Sequence, residues 1–322
     1  MQKKGGGAVG VYCAGELIKR YREAQHLTQE QLSEGICSVE TLSRFENGHQ
    51  TPGRYIYQQL MGRLGKNTER AYAVVCGRNI KISDLIAEYQ ACRWRLEYEE
   101  ADTIIKKLES LVDDSTTSRQ YVLAQSAALD MHLLRISPQE ARKQLLEVLK
   151  LTISEPERQD FNRYPLMANE LSILYHIANT YLAEDQFDAG IKLLEAVLQG
   201  IKSGYRGTEV YHYKEIMIME RLAHMYGKLG DYHKAIALAE QALSLCRQQK
   251  CSVRLPQLLQ TMEWSMEQLL QQEEKTLDFT WKDCKKILRQ AYCLASALGQ
   301  RHYTEILKNR YLESFGEEVS VV

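Results

Sequence analysis

Helix breakers are scarce in this chain of 322 residues, and that scarcity constrains its fold more than any other feature. The chain has 19 Gly and 5 Pro, 24 of 322 residues, whereas these two residue types ordinarily make up about 12% of a protein. Pro52 is the sole proline among the first 137 residues. Because sandwiches and barrels need a turn roughly every 8–12 residues, we expect an all-α protein.

The charges divide the chain into a basic N-terminal part and an acidic remainder. Residues 1–66 carry 9 Lys/Arg and 6 Asp/Glu, out of 41 and 42 in the whole chain, which leaves 32 and 36 for the rest. This division favours one module that binds a polyanion and one that does not. The sequence has no apolar run long enough to span a membrane. Its first residues lack the leucine-rich core of a signal peptide, so we expect a cytoplasmic protein without a membrane partner.

No motif in the sequence indicates catalysis. It lacks a glycine-rich phosphate loop, a G-x-S-x-G elbow and an H-E-x-x-H pair. The eight cysteines form no C-x-x-C motif and no zinc-type cluster with histidine. Reduced core thiols account for them, and a redox sensor is the alternative. We therefore expect neither an enzyme nor a bound cofactor or metal ion.

Four short helices are predicted within residues 15–66. Thr28 and Gln31 have the spacing of a capping box at the start of the second helix. Ser38 is placed to cap the third. The fourth is expected to start at Pro52, since proline is favoured in a first helical turn. A bundle whose second and third helices are joined by a tight turn is typical of DNA-reading domains.

The segment LTQEQLSEGICSVETLSRFENGHQTP resembles the helix-turn-helix of the Xre/Cro/phage-repressor family. It differs at Ser33, where that family usually has alanine, and at Cys37. The resemblance implies that the helix over residues 38–47 lies in the major groove of double-stranded DNA. It implies base-edge contacts from Ser38, Val39, Glu40 and Thr41, and phosphate or base-edge contacts from Gln29, Ser43 and Arg44.

Glu40 is the unusual member of this set. A carboxylate in the groove repels phosphate, so Glu40 either accepts a hydrogen bond from a cytosine amino group or points away. One module of this kind reads few base pairs, and a dimer over two half-sites is the usual solution. We therefore expect a homodimer whose contacts lie downstream of the head.

The C-terminal part contains degenerate repeats. A pattern of small and aromatic residues runs from Ala178 to Val197 and recurs with the same offsets from Ala223 to Ala242. It resembles the tetratricopeptide signature, although weaker copies around it are 40 to 49 residues apart rather than about 34. The predicted division is an N-terminal segment (1–14), a helix-turn-helix domain (15–66), a linker (67–80), TPR-like α-superhelical repeats (81–315) and a tail (316–322).

Stacked repeats of this kind form a superhelix whose concave face consists of the first helix of each pair. The register places Tyr175, Asn179, Glu220 and His224 on that face. An asparagine there suits a peptide backbone because its amide both donates and accepts, although a solvated or core-satisfied amide is the alternative. Glu220 and His224 would suit a metal ion only with a third ligand, which is lacking. Weaker pocket candidates are Asn169, Tyr213, Arg221 and Lys228.

A repressor-type head followed by degenerate repeats resembles the peptide-responsive quorum-sensing regulators of Gram-positive bacteria, the family of Rgg, PlcR, NprR and PrgX. The resemblance implies a transcription regulator whose repeats bind a short intracellular signalling peptide and thereby control the DNA binding of a dimer. The alternative is a regulator whose repeats dock a partner protein. A groove with few polar anchors favours the peptide, and a flat, highly charged face favours the protein.

Overall fold

The structure is a computed structural model that describes residues 14–50, 52–65, 80–112, 116–161, 166–204, 209–252, 254–273 and 277–319. Within these ranges the chain forms α-helices and one 3-10 turn, with no β-strand, which confirms the all-α fold. None of the described helices is both long and apolar enough to cross a bilayer. Nearly all of the predicted N-terminal segment (1–14) and linker (67–80) lies outside the described residues.

Four helices form the N-terminal head, which comprises residues 14–65. They are α1 (Ala14–Ala24), α2 (Gln29–Ser33), α3 (Val39–Glu46) and α4 (Arg54–Arg63). The predicted capping box is present, since the Thr28 hydroxyl accepts from the backbone N–H of Gln31 and the Gln31 side chain accepts from that of Thr28. The fourth helix begins later than predicted. Gly53 occupies its N-cap position in extended backbone, and Pro52 precedes that cap.

The head has a small apolar core beneath the turn between α2 and α3. Buried side chains from all four helices and the C-cap of α4 meet there, namely Ile18, Leu32, Leu42, Phe45, Leu60, Met61 and Leu64. Gly15 allows α1 to approach α3, because a Cβ at that position would lie 1.7 Å from the carbonyl oxygen of Phe45. This core holds α3 at the surface of the head.

The remaining eleven helices of the described residues form five successive pairs, followed by the single helix α15 packed on α14. They are α5 (Ile80–Arg95), α6 (Tyr98–Glu109), α7 (Thr116–His132), α8 (Pro138–Leu149), α9 (Ala168–Ala183), α10 (Phe187–Gly204), α11 (Glu209–Leu229), α12 (Tyr232–Gln248), α13 (Leu255–Gln271), α14 (Trp281–Ala297) and α15 (Arg301–Phe315). The first helices of successive pairs also contact one another, α7 with α9, α9 with α11 and α11 with α13. Such stacking produces one face lined by first helices.

Small residues permit the close approach of neighbouring helices within and between the pairs, as the repeat pattern predicts. Ala178, Ala223 and Ala235 are fully buried. A Cβ at Gly190 of α10 would lie 2.8 Å from the Met225 side chain of α11. The described cysteines are free, and burial raises the pKa of Cys246 and Cys284 to about 12, which suits core thiols.

The head packs directly on the repeats. Arg63 at the end of α4 and Glu170 in the first turn of α9 form an ion pair of 3.2 Å in which both side chains are fully buried. Gly35 of the head takes a positive φ of 69°, and a Cβ there would lie 2.7 Å from the backbone of Thr152. The docked head therefore touches the same helix that carries three of the predicted ligand-binding residues.

Candidate DNA-binding helix and ligand pocket

The N-terminal turn of α3 faces solvent with its polar groups already organised. Ser38 caps the helix, because its hydroxyl accepts from the backbone N–H of Thr41 at 3.1 Å. The two hydroxyl groups lie 2.8 Å apart. Val39 beside them is 36% exposed, although it is apolar. This turn presents two hydroxyls and a methyl surface, which are groups that read base edges.

Glu40 points along α3 towards Arg44. Its carboxylate lies 2.6 Å from the guanidinium, and the two side chains are 75% and 58% exposed. An exposed pair at this spacing contributes only about 0.3–0.5 kcal/mol. The pair therefore opens at little cost. Glu40 can then either accept a hydrogen bond from a cytosine amino group or point away, and Arg44 is free to contact a phosphate.

The other predicted DNA contacts lie beside this turn. Gln29 at the start of α2 donates to the buried carboxylate of Glu46 at 2.7 Å. Ser43 accepts from the side chain of Asn47 at 3.3 Å. The structure thus brings all seven predicted residues to the corner formed by α2 and α3. Whether they contact DNA stays a prediction.

Four cations lie near Tyr175 or its neighbour His176 on the inner side of the repeats. They are Arg93 in the last turn of α5, Lys214 and Arg221 on α11, and Arg254 at the N-cap of α13; we call them the basic cluster. The Arg221 guanidinium donates to the Tyr175 hydroxyl at 2.9 Å. The guanidinium carbons of Arg221 and Arg254 lie 5.4 and 5.7 Å from the centre of that ring. Cations in such positions interact favourably with an aromatic face.

The structure places most of the predicted ligand-binding residues at or beside this cluster. Glu220 is buried, 3.9 Å from Arg254. The Asn179 side chain has a buried carbonyl oxygen without a hydrogen-bond partner. The Tyr213 ring stacks on Trp94 of α5 with 6.4 Å between ring centres.

A cavity of about 190 Å³ lies further along α11, between its C-terminal half and α13. His224 and Lys228 of α11 line it together with Gln260, Thr261, Trp264 and Arg310. The Lys228 ammonium lies 5.0 Å from the centre of the Trp264 ring. Aromatic walls and a few polar groups are typical of ligand sites.

Asn169 is engaged elsewhere in the protein. Its amide nitrogen donates to Gln120 of α7 at 2.7 Å, and Gln120 in turn bonds the backbone of Val148 and the hydroxyl of Thr152. This buried network lies beneath the docked head, since Thr152 also touches Gly35. The structure therefore gives Asn169 a part in packing α7 against α9, and does not bring it to the basic cluster.

Three histidines near the cluster are held in their neutral form. Burial first, and then the surrounding positive charges, lower the pKa of His132 to about 3 and that of His224 to about 4. The same causes lower the pKa of His176 well below its ordinary value. The His132 ring stacks on Tyr98 at 4.7 Å. A neutral imidazole can both donate and accept a hydrogen bond.

These histidines predict a loss of stability in mild acid. Below pH 6.5 the unfolded chain binds protons that the folded chain excludes, so each histidine lowers the free energy of unfolding by about 1.4 kcal/mol per pH unit. Above that pH the contribution is constant. His132→Phe keeps a ring stacked on Tyr98 and should make the decline between pH 6.5 and 5 shallower in urea unfolding. Equal slopes would contradict the neutral state, and His302→Phe, at an exposed position, is the control.

Three members of the basic cluster were missed by sequence reasoning. Arg93 and Arg254 lie at helix ends, where no repeat register applies. Lys214 carried a usable signal, because Lys214, Arg221 and Lys228 follow one another at intervals of seven residues along a single helix. That spacing aligns three cations on one face of α11.

Comparison with known proteins agrees with both parts of this architecture. A helix-turn-helix family model matches residues 18–69, and a tetratricopeptide repeat model matches residues 169–248. No curated relative matches the sequence. Neither matched family is one of enzymes, in agreement with the sequence analysis.

Two solved structures of PlcR from Bacillus thuringiensis resemble the whole chain. The structure in complex with the peptide PapR7 and DNA has a TM-score of 0.62 at 19% identity, and the match covers 92% of this chain and 99% of that one. The apo form has a TM-score of 0.56 at 17% identity, with 92% and 98% covered. The chain therefore joins a helix-turn-helix domain to tetratricopeptide repeats in the fold of PlcR, as the resemblance to peptide-responsive regulators implied.

Proposed function

We propose that this protein is a sequence-specific DNA-binding transcription regulator that acts as a cytoplasmic homodimer and responds to a short signalling peptide. The observation that carries the proposal is the junction of two parts. A head that exposes a capped recognition helix is packed on repeats whose inner side holds buried polar groups without partners. DNA would bind the α2–α3 corner, and the peptide would bind the concave face around Tyr175.

The shape of the concave face supports a peptide over a partner protein. Its polar groups are buried between successive helices, and aromatic rings from α6, α9, α11 and α13 surround them. The Asn179 carbonyl oxygen, one helical turn after Tyr175 on α9, is buried without a partner and could accept a backbone N–H of a bound peptide. A docked globular protein would need a broad, accessible surface instead.

Helix α9 offers a physical route from peptide to DNA. Tyr175 lies at the middle of α9 and Asn179 one turn beyond it, and Glu170, which anchors the head through Arg63, lies in the first turn. A ligand shifts such an equilibrium only if it binds one arrangement of the head more tightly than another. A peptide that displaces α9 would change the free energy of head docking, and hence the separation of two heads in a dimer.

Replacing Arg44 by alanine tests the proposed DNA contact. We expect about tenfold weaker binding to a DNA site selected from random sequences by the full chain, because one phosphate contact is removed. The slope of log affinity against log salt should become shallower by about one. Fluorescence anisotropy at several salt concentrations measures both, with Arg247→Ala on α12 as the matched exposed control.

Several outcomes would change the assignment. Loss of preference at a single base pair would make Arg44 a base reader. Unchanged affinity and slope would remove Arg44 from the interface. If the wild-type chain enriched no DNA sequence at all, the proposed regulatory function would be wrong.

A further inference from the structure

The inner side of the repeats carries more positive charge than the described residues neutralise. Among them, Glu220 is the carboxylate whose charge acts on both Arg221 and Arg254. Lys214 has a hydroxyl partner, since its ammonium donates to Ser172 at 2.6 Å. Burial and repulsion from Arg254 lower the pKa of Lys214 to about 8. The cluster thus holds four cations against one carboxylate.

Several donors of the cluster are also unused. One terminal nitrogen of Arg93 and the Nε atoms of Arg221 and Arg254 are buried without a hydrogen-bond partner. A buried charge is normally paired, because an unpaired one loses its hydration without compensation. Guanidinium groups in such places usually bind carboxylate or phosphate. These unpartnered guanidinium donors therefore indicate a negatively charged ligand.

The spacing of the cations favours an extended ligand over a compact anion. Lys214 and Arg221 are seven residues apart on α11, which corresponds to about 10 Å along the helix axis. A single inorganic anion cannot span that distance. An extended peptide rises about 3.3 Å per residue, so two carboxylates about three residues apart match the two cations.

We infer that the peptide bound by the concave face is acidic, with two carboxylates about three residues apart seated on Lys214 and Arg221. One of the two is supplied by the C-terminus or by a second acidic side chain. Arg221 and Arg254 both lie against the Tyr175 ring, so a further cation adjoins the Arg221 position. The inference rests on the proposed function, because it specifies the chemistry of the peptide that this function requires.

Defined peptide libraries test the inference on the full chain. The probes are random heptapeptide mixtures with a free C-terminus, the same mixtures amidated at the C-terminus, and both kinds made without Asp and Glu. Affinity selection with mass spectrometry should enrich acidic members, and loss of both kinds of carboxylate should weaken binding at least tenfold. The amidated and acid-free mixtures separate the two sources of the carboxylate.

Variants locate the carboxylates. Lys214→Met and Arg221→Gln should each weaken the selected acidic peptide about tenfold or more. The exposed residues Lys192 and Arg247, changed to Met and Gln, are matched controls and should leave binding unchanged. Equal binding of acidic and acid-free amidated peptides would overturn the inference and leave the proposed function standing. Binding of no library member would overturn both.

Stability of the ligand-free chain gives a second readout. Lys214→Met removes an unneutralised buried charge, so its melting temperature should rise by about 2 °C. An unfilled anion site predicts two differences from Lys214→Met: the wild type should bind the acidic peptide more tightly, and its ligand-free form should melt at a lower temperature. A fall in melting temperature would show that the fold itself neutralises Lys214, and the inference would be wrong.

Discussion

Arg63→Met is expected to lower the free energy of unfolding by about 3–5 kcal/mol, which is the usual loss when one partner of a buried ion pair is removed. Both Arg63 and Glu170 are fully buried. The Arg63 guanidinium also donates to the backbone carbonyls of Leu32 and Glu34 at the end of α2. The substitution would leave the Glu170 carboxylate buried between the head and α9 without the cation that now neutralises it.

A second substitution, at Glu170, tests whether the uncompensated carboxylate causes this loss of stability. Burial raises the pKa of Glu170 even with Arg63 beside it, so the site already disfavours a negative charge. Glu170→Gln in the Arg63→Met background should recover most of the lost stability, because the amide oxygen still accepts from the Met167 N–H, now bound at 2.6 Å. Urea unfolding of the wild type, Arg63→Met and the double variant measures this recovery. If Glu170→Gln gave no recovery, the loss would come from packing.

The double variant also tests the route from peptide to DNA. Arg63→Met/Glu170→Gln replaces the ionic anchor of the head while α9 keeps its first turn. If head docking transmits the peptide signal, the variant should bind DNA with an affinity that no longer depends on peptide. A peptide response of wild-type size would exclude this contact from the signalling route.

The head could be predicted almost completely from the sequence because its signals are local. Thr28 and Gln31 close a capping box three residues apart, and Ser38 caps α3 in the same way. The predicted start of α4 at Pro52 was wrong because Gly53, the next residue, can also occupy an N-cap position. Gly53 is the N-cap, and α4 therefore begins at Arg54, two residues later than predicted.

The site within the repeats was predicted only in part, because its contacts are not local. Tyr175 and Glu220 followed from the repeat register, which fixes the inner face of a helix. Arg63 and Glu170 are 107 residues apart in the sequence, and no spacing rule connects them. Asn169 has the right residue type for a peptide contact, yet Gln120 from another repeat takes its amide. Which side chains from different repeats become hydrogen-bond or ion-pair partners depends on how the repeats stack, and the sequence does not show this.

Glu46→Ala is expected to destabilise the head by about 3 kcal/mol or more. The Glu46 side chain is 1% exposed, and its two oxygens accept from Arg22 at 2.6 and 2.8 Å. It also accepts from Gln29 at 2.7 Å. One carboxylate thus joins α1, α2 and α3. Hydrogen bonding to Glu46 also raises the pKa of Arg22, so alanine would leave that guanidinium with the more distant, exposed Glu23 at 3.6 Å as its counter-charge.

Glu40→Ala is the matched control for this substitution. Glu40 is also a carboxylate of α3 paired with an arginine, but both side chains are exposed, so its loss should cost less than about 0.5 kcal/mol. Amide hydrogen exchange in α1 to α3 of the full chain should accelerate strongly in Glu46→Ala and little in Glu40→Ala. DNA affinity should fall with head stability, since Glu46 orients Gln29 and supports the helix that carries Ser38. Comparable exchange in the two variants would show that burial of Glu46 adds nothing to the head, and the organisation proposed for the α2–α3 corner would then be wrong.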